Sequence, residues 1–558
     1  MPFRQSIPFT RTDIALASSA GVAGLLASYA VAGVTPSFVA APVSAFAAKT
    51  LPGAFITFAI LVLGDLGQKL NLLTAIVAAT VGLAGLAAVG LVVARRVETP
   101  GVELLAAPAA AAVALLATGA PTSSLATGAG VAVVLGGGLA ADRFDGGAPA
   151  VSGDRRRVLG GLPGLVAVGA AAAALRSRAG GERSEPATPD ALGGGEEDTT
   201  ATATHTPTPT PRPEAPGTAT ASTEAAAGGS GGDGGAGGDA DATRTPVATA
   251  TPTPAPQSEI DRLLAEADRK SLGVDGIQPL VSKKHYEVDI NAVNPDVAAG
   301  DWSLSLTGRV DEELTLSYDE LTSMPADNRF VTLRCVGEAR NGRKMDTALW
   351  TGVPIDPLLE RASPDGACDC VMLRATDGFF EELGIEELRG GLLAFGMNGE
   401  VLPRRHGYPV RLLVPGHWGE VNVKWIDEIQ FLESSKPGYW EKRNWQGTGE
   451  VNTVAKLKTV NRGDGRIEVA GHAYAGVRGV SGVEVSTDGG ETWTAARVSD
   501  PLPGDDVWRQ WVYEYDAPGE EHEVVVRAIE SDGTTQSEER TGPFPSGASG
   551  WVSRTISP

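Results

Sequence analysis

The chain has 558 residues and a net charge of −22, with 46 Lys and Arg against 68 Asp and Glu. That length provides for two or more folded cores, and basic residues that form no stripe exclude a nucleic-acid partner. Three cysteines, Cys335, Cys368 and Cys370, exclude a disulfide framework.

Residues 1–178 read as an α-helical membrane domain. Apolar stretches near 14–34, 51–68, 71–94, 102–119, 124–141 and 158–175 are each about as long as a helix that crosses ~30 Å of hydrocarbon, so about six spans are expected. Basic loops at Arg95-Arg96, Arg143 and Arg155-Arg156-Arg157 then fall on one side, which should be cytoplasmic. The expected location is the cell membrane, multi-pass, with the C-terminal half outside. Arg155-Arg156-Arg157 ahead of a weakly apolar segment also has the form of a twin-arginine export signal placed internally, or of an ordinary basic flank. All six histidines lie at 205 or beyond, so no transmembrane b-type haem is expected; the domain reads as an anchor.

Residues 179–257 are Thr/Pro repeats around a Gly-rich acidic tract. Such sequence buries too little apolar surface to repay ordering and reads as a disordered, solvated linker.

Residues 258–452 carry globular patterning. An amphipathic helix is expected over 260–270, a half-buried strand over 302–308, and a second strand at 314–316 that runs into a capped helix at Tyr318-Asp319-Glu320-Leu321. Cys368 and Cys370 sit at i and i+2, positions that face opposite sides of a strand, and read as unbridged. Cys335 follows the β-rich run Val331-Thr332-Leu333-Arg334, and the basic, Gly/Pro-punctuated loop from Met397 to Arg411 comes later. One thiol with one basic loop suits a soft metal held by sulfur beside an anionic cofactor held by cations.

From about His285 onward the chain resembles the sulfite oxidase family of molybdopterin enzymes, and within it the membrane-attached prokaryotic branch; an acid-rich composition with Arg in excess of Lys fits proteins of salt-loving archaea. The resemblance is carried by Tyr286-Glu287-Val288-Asp289, Asp301-Trp302-Ser303-Leu304, Tyr318-Asp319-Glu320-Leu321, Cys335, Leu349-Trp350-Thr351-Gly352-Val353-Pro354, Ala375-Thr376-Asp377-Gly378, Met397 to Arg411, and Val423-Lys424-Trp425. It implies an α+β domain holding a molybdenum–molybdopterin cofactor (Moco), with Cys335 as metal ligand. By the same resemblance His406, Arg411 and Lys424 hold the cofactor's phosphate and Asp377 the pterin ring, with Tyr286, Asn291, Asn422 and Val423 also in the cofactor site. Arg340 and Tyr439 are placed in the catalytic pocket. Where the family has an Arg and a His in its entry strand, Asp289 and Asn291 stand here, which loosens sulfite as the substrate.

Residues 453–558 show short alternating strands with a hairpin signal at Asp488-Gly489-Gly490. The expected fold class is therefore multidomain: an N-terminal α-helical membrane domain, an α+β molybdopterin-binding domain and a C-terminal immunoglobulin-like β-sandwich. The resemblance makes the last a dimerisation domain, implying a homodimer, with Arg509 a candidate to reach the active site; a monomeric accessory sandwich is the other reading. The expected activity is two-electron oxygen-atom transfer on a small substrate, sulfite or an S-oxide or N-oxide, with a separate electron-transfer protein. The alternative is a non-enzymatic extracellular binding protein that keeps the fold without metal.

Overall fold

The computed structural model describes residues 10–63, 65–143, 161–170, 257–366 and 368–557. The arginine run at 155–157 and residues 179–256 of the expected linker lie outside them.

The N-terminal part consists of α1 (Arg11–Ala32), α2 (Ala41–Thr50), α3 (Gly53–Phe58), a π-helical turn at Ala59–Leu63, α4 (Asp65–Val97), α5 (Ala106–Thr118), α6 (Pro121–Arg143) and α7 (Gly161–Ala170). A capping box between Thr10 and Asp13 starts α1, and Asp13 also pairs with Arg95 at 2.6 Å. The abundance of Ala and Gly has a packing reason. A Cβ at Gly21 would lie 2.6 Å from the Thr80 carbonyl, and one at Gly128 would lie 2.7 Å from that of Ala107, so small residues let these backbones approach closely.

Among the described residues three helices are long and apolar enough to cross a membrane: Arg11–Ala32, Leu66–Val97 and Pro121–Ala141. Six spans were expected. The stretch at 51–68 is instead broken, because Pro52 caps the short α3 and the chain passes through the π turn before α4 begins. The stretch at 102–119 opens on a 3-10 turn, which leaves α5 with 13 residues.

The α+β part runs through α8 (Gln257–Lys270), β1 (Ser303–Gly308), β2 (Leu314–Ser317), α9 (Tyr318–Thr322), β3 (Asp327–Arg334), β4 (Met345–Pro354), α10 (Asp356–Ala362), β5 (Val371–Ala375), β6 (Phe380–Leu383), α11 (Ile385–Leu388), β7 (Leu392–Met397), β8 (Glu400–Val401), β9 (Arg411–Leu413) and β10 (Ile426–Phe431). One sheet has the order β2-β1-β10-β5-β6, with β1 and β10 parallel; the other runs β3-β4-β7-β8, with β9 also paired to β7. The predicted helix and first two strands are found within a few residues of their expected bounds. A correction concerns Cys368 and Cys370, which are joined as a disulfide with a Cα–Cα distance of 5.1 Å. The segment is no strand there: Asp369 adopts φ +48°, and that turn brings both sulfurs to one side.

The C-terminal part holds β11 (Val454–Gly463), β12 (Arg466–Tyr474), β13 (Val480–Ser486), β14 (Thr494–Ala495), β15 (Arg497–Val498), β16 (Arg509–Asp516), β17 (His522–Glu530) and β18 (Val552–Ile556). They form two four-stranded antiparallel sheets, β11-β12-β16-β15 and β14-β13-β17-β18. The turn predicted at Asp488-Gly489-Gly490 has φ +78° and +105° at its glycines, and Asp488 Oδ1 accepts from the Glu491 and Thr492 amides. Arg509 is spent on the Ser499 and Val480 carbonyls inside this part. One hydrophobic cluster includes Val336, Trp418 and Trp445 together with Val469, Trp508 and Trp511, so the α+β part and the C-terminal sheets share a core.

His472 of β12 lies in that shared region. Its Nε2 donates to the Gln278 carbonyl at 2.9 Å, its ring stacks on Trp508 at 3.9 Å, and burial pushes its pKa down to about 3. A depressed folded pKa means that stability is present above the unfolded value of about 6.5 and is lost as pH falls through the folded one, by about 1.4 kcal/mol per pH unit. His472→Gln is therefore expected to remove about that slope from the urea stability measured between pH 6.5 and 4, even though it weakens the stack at pH 7. An unchanged slope would show that His472 titrates normally.

Candidate active site

The site is built where β3 ends. Backbone pairing of β3 to β4 stops at Arg334–Met345, and Cys335 keeps the chain in place by donating its N–H to the Lys344 carbonyl at 3.0 Å. The thiol, half-buried, opens onto a cleft. Burial pushes its pKa up to about 11.

Opposite, the basic loop folds onto itself. After the short helical turn Arg404–His406, Gly407 adopts φ +115°, and a Cβ on it would lie 2.9 Å from Arg411 Cβ and 3.1 Å from Lys424 Cα. Glycine there draws Arg411 and Lys424 to one wall. Arg411 donates to the His406 carbonyl at 3.3 Å and to the Asn422 carbonyl at 3.0 Å, and its guanidinium lies over Trp350. Burial lowers its pKa to about 10. Lys424 pairs with Asp289 and donates to the Arg405 carbonyl at 3.2 Å. Asn422 receives the Val414 amide at 2.8 Å and donates to the Trp418 carbonyl at 3.0 Å. Its side chain shapes the loop.

Asp377 sits in the turn between β5 and β6, where its Oδ1 accepts from the Phe379 amide at 2.9 Å and burial raises its pKa to about 6. Asn291 donates to the Asp377 carbonyl at 3.0 Å. Tyr286 is held by its backbone amide, which donates to Asp346 at 2.8 Å.

The structure thus brings Cys335, Tyr286, Asp377, His406, Arg411, Asn422, Val423 and Lys424 to one cleft, with Asn291 beside it. It does not bring Arg340 or Tyr439 there. Glu338, three residues after Cys335, is buried against Arg334, and the chain turns back at that point. Arg340 is carried instead to a separate hollow beside Thr541, Gly542 and Pro543, where it donates to the Thr541 carbonyl at 3.1 Å. Tyr439 is buried under the Arg443 guanidinium and donates to the Ala48 carbonyl at 3.3 Å. The aromatic wall of the cleft is made by Trp440 and Trp445.

Two titratable lining residues were not expected from the sequence. His285 faces the cleft in edge contact with Trp350 and His406, and burial lowers its pKa to about 3 and that of His406 to about 2; both rings are neutral near pH 7. Its signal was adjacency to Tyr286. Glu420 also lines the cleft, and no local pattern marked it.

Three polar atoms around the cleft, His285 Nε2, Asn291 Oδ1 and Arg411 Nε, are buried without a hydrogen-bond partner. Buried polar groups are almost always satisfied. Their orphaned state beside a thiol, a lysine and a carboxyl fits a polar, anionic group bearing both donors and acceptors, as a pterin phosphate does.

The family model described as oxidoreductase molybdopterin binding domain matches residues 291–440, and the Mo-co oxidoreductase dimerisation domain matches residues 448–542. Mitochondrial sulfite oxidase of Macaca fascicularis is 26% identical over 277 residues, covering 39% of this chain and 50% of that protein. Nitrate reductase [NADH] 1 of Arabidopsis thaliana is 26% identical over 277 residues, covering 38% of this chain and 30% of that protein. The crystal structure of the sulfane dehydrogenase SoxCD from Paracoccus pantotrophus is similar at 20% identity and a TM-score of 0.39, covering 49% of this chain and 82% of that one. The chain spans about half the length of the sulfite oxidase it matches. The two family models cover most of the cleft residues and most of the C-terminal sheets, and the chain accordingly carries sulfite oxidase-type molybdopterin oxidoreductase domains.

Proposed function

We propose that this chain is a membrane-anchored molybdenum-cofactor oxidoreductase that transfers one oxygen atom, with two electrons, between a small substrate and water on the outer side of the cytoplasmic membrane. The observation that carries the reading is the cleft itself, lined by Cys335 and bordered by three buried, unpartnered polar atoms. Its support is the pair of domain matches and the three long apolar helices. The Cys368–Cys370 disulfide suits an oxidising compartment.

In this reading Cys335 is the metal ligand, and the cofactor, when bound, supplies a metal that cycles between two oxidation states two electrons apart. His406, Arg411 and Lys424 hold the phosphate, Arg411 as a fork and Lys424 as a point charge. Asp377, Tyr286, Asn291 and His285 orient the pterin, while Asn422 and Val423 shape the loop beneath it. Trp440 and Trp445 exclude water from the substrate end. Asp289 and Asn291 stand where the family has an Arg and a His, so the site offers less positive charge to a doubly charged anion, and an S-oxide or N-oxide suits it better than sulfite. Electrons pass to or from a separate protein, and residues 448–542 give the surface for a homodimer.

The test is metal analysis of the full chain, purified in detergent from a host that makes the cofactor. One molybdenum and one pterin per chain are expected, with oxide-dependent oxidation of a reduced dye. Molybdenum well below stoichiometry would favour the non-enzymatic binding protein.

A further inference from the structure

Three carboxyl groups lie beside the tryptophan wall. Glu420 lines the cleft, and its carboxyl oxygens are buried with no side-chain partner, the Gly447 backbone amide being the one donor beside them. Gly447 makes the room: a Cβ there would run into the Glu420 carboxyl and lie 2.8 Å from Val336 Cγ2, the neighbour of Cys335. The Glu441 oxygens are also buried, and its carboxyl meets and hydrogen-bonds that of Glu381 at Gly438. Glu381 is fully buried, and its Oε2 accepts from the Trp440 amide at 3.4 Å. Among the described residues no ion pair reaches any of the three. Burial without a cation favours the protonated form of Glu420 and Glu381.

We propose that Glu420 is a catalytic acid–base residue that exchanges a proton with the oxygen atom transferred in the cleft, with Glu441 and Glu381 as positioning residues behind it. The half-reaction XO + 2H⁺ + 2e⁻ → X + H₂O fixes the balance, X being the de-oxygenated substrate. The two electrons come from the separate carrier protein. One proton leaves the Glu420 carboxyl as the new O–H bond of water forms, and the other comes from bulk water. Glu420 is then reprotonated from solvent. In the oxidative direction it accepts the proton instead. Burial first, and then the charge of Glu441, push Glu420 up to about 8, and burial puts Glu381 well above the carboxylate range. The charged or titrating groups that face Glu420 are Glu441, Glu381 and the Cys335 thiol.

The assignment rests on the molybdenum reading, so metal content is measured on the same samples of full chain used for infrared spectroscopy. The wild type is expected to show a protonated-carboxyl carbonyl band that titrates with a midpoint near 8 and vanishes in Glu420→Gln. Glu441→Gln should move that midpoint to lower pH, because a like charge is gone. Turnover of Glu420→Gln should fall by about 100-fold or more with molybdenum unchanged, the usual scale of acid–base catalysis. Glu420→Asp should recover part of it. A molybdenum-loaded Glu420→Gln enzyme with the wild-type pH–rate profile overturns this assignment alone, as does a Glu420 band absent at pH 6. Wild-type protein without molybdenum overturns the metal reading and this one together.

Discussion

Cys335→Ser is expected to lower turnover at least about 100-fold while leaving the urea midpoint of the α+β part nearly unchanged. Partners outside the first coordination shell are worth about 10- to 100-fold, and the ligand itself should exceed them. A serine hydroxyl matches the thiol in shape, and the backbone bond from residue 335 to the Lys344 carbonyl does not depend on the side chain. The chemistry differs. Thiolate is a soft, polarizable donor suited to a metal already bound by pterin sulfurs, and an alkoxide is hard and forms only at much higher pH.

The thiol's pKa of about 11 sets a second expectation on the same sample. Metal binding must expel that proton, so cofactor loading of the wild type should release protons and strengthen with pH, and loading of Cys335→Ala should not show this dependence at residue 335. Molybdenum content, dye-linked turnover and circular dichroism on the three proteins check it. Normal turnover by the serine variant would remove Cys335 as the ligand.

How much of this was legible beforehand depends on how local each signal is. The capped helix after β2 was visible because Ser317 and Glu320 form a capping box within four residues. The hairpin at Asp488 was visible for a similar reason. The gathering of Arg411 and Lys424 on one wall was legible through Gly407, because both lie in motifs that the resemblance had already paired. Arg340 failed because its destination is set by the burial of Glu338 against Arg334 and Lys456, and Lys456 is 118 residues away in the next domain. Tyr439 failed by one residue: in a loop with no periodicity, nothing local tells whether it or Trp440 turns inward. Glu420 was invisible because its meaning comes from Glu441, Glu381 and Gly447, which only the tertiary fold assembles. Composition alone does not announce the π turn at Ala59–Leu63, which interrupts the apolar stretch at 51–68 among the described residues.

Glu338→Ala is expected to be the most destabilising single change in the catalytic part, at about 3–5 kcal/mol, the cost of leaving a buried charge uncompensated. Glu338 faces two cations: Arg334 at 3.1 Å and Lys456 in a short ion pair, with side-chain exposures of 2%, 0% and 0% respectively. Arg334 also donates to the Asn452 and Ala548 carbonyls and lies over Trp418, and Lys456 donates to the Gly342 carbonyl at 3.1 Å. These contacts hold the cations in place when the acid is removed, so they cannot escape to water. Lys456 should respond by losing its proton, since burial already brings its pKa down to about 7; Arg334 has no such exit. Lys456→Met should therefore cost much less, because Arg334 and Glu338 still neutralise each other and a methionine fills the space. The acid's other oxygen accepts the Lys344 amide at 2.8 Å, and Lys344 carries the carbonyl that anchors Cys335, so Glu338→Ala should also release molybdenum at denaturant concentrations below the unfolding midpoint. Urea titration of the two variants, followed by tryptophan fluorescence and by metal retention, separates the outcomes. Equal losses for Glu338→Ala and Lys456→Met would mean that the pair acts by packing and not by charge.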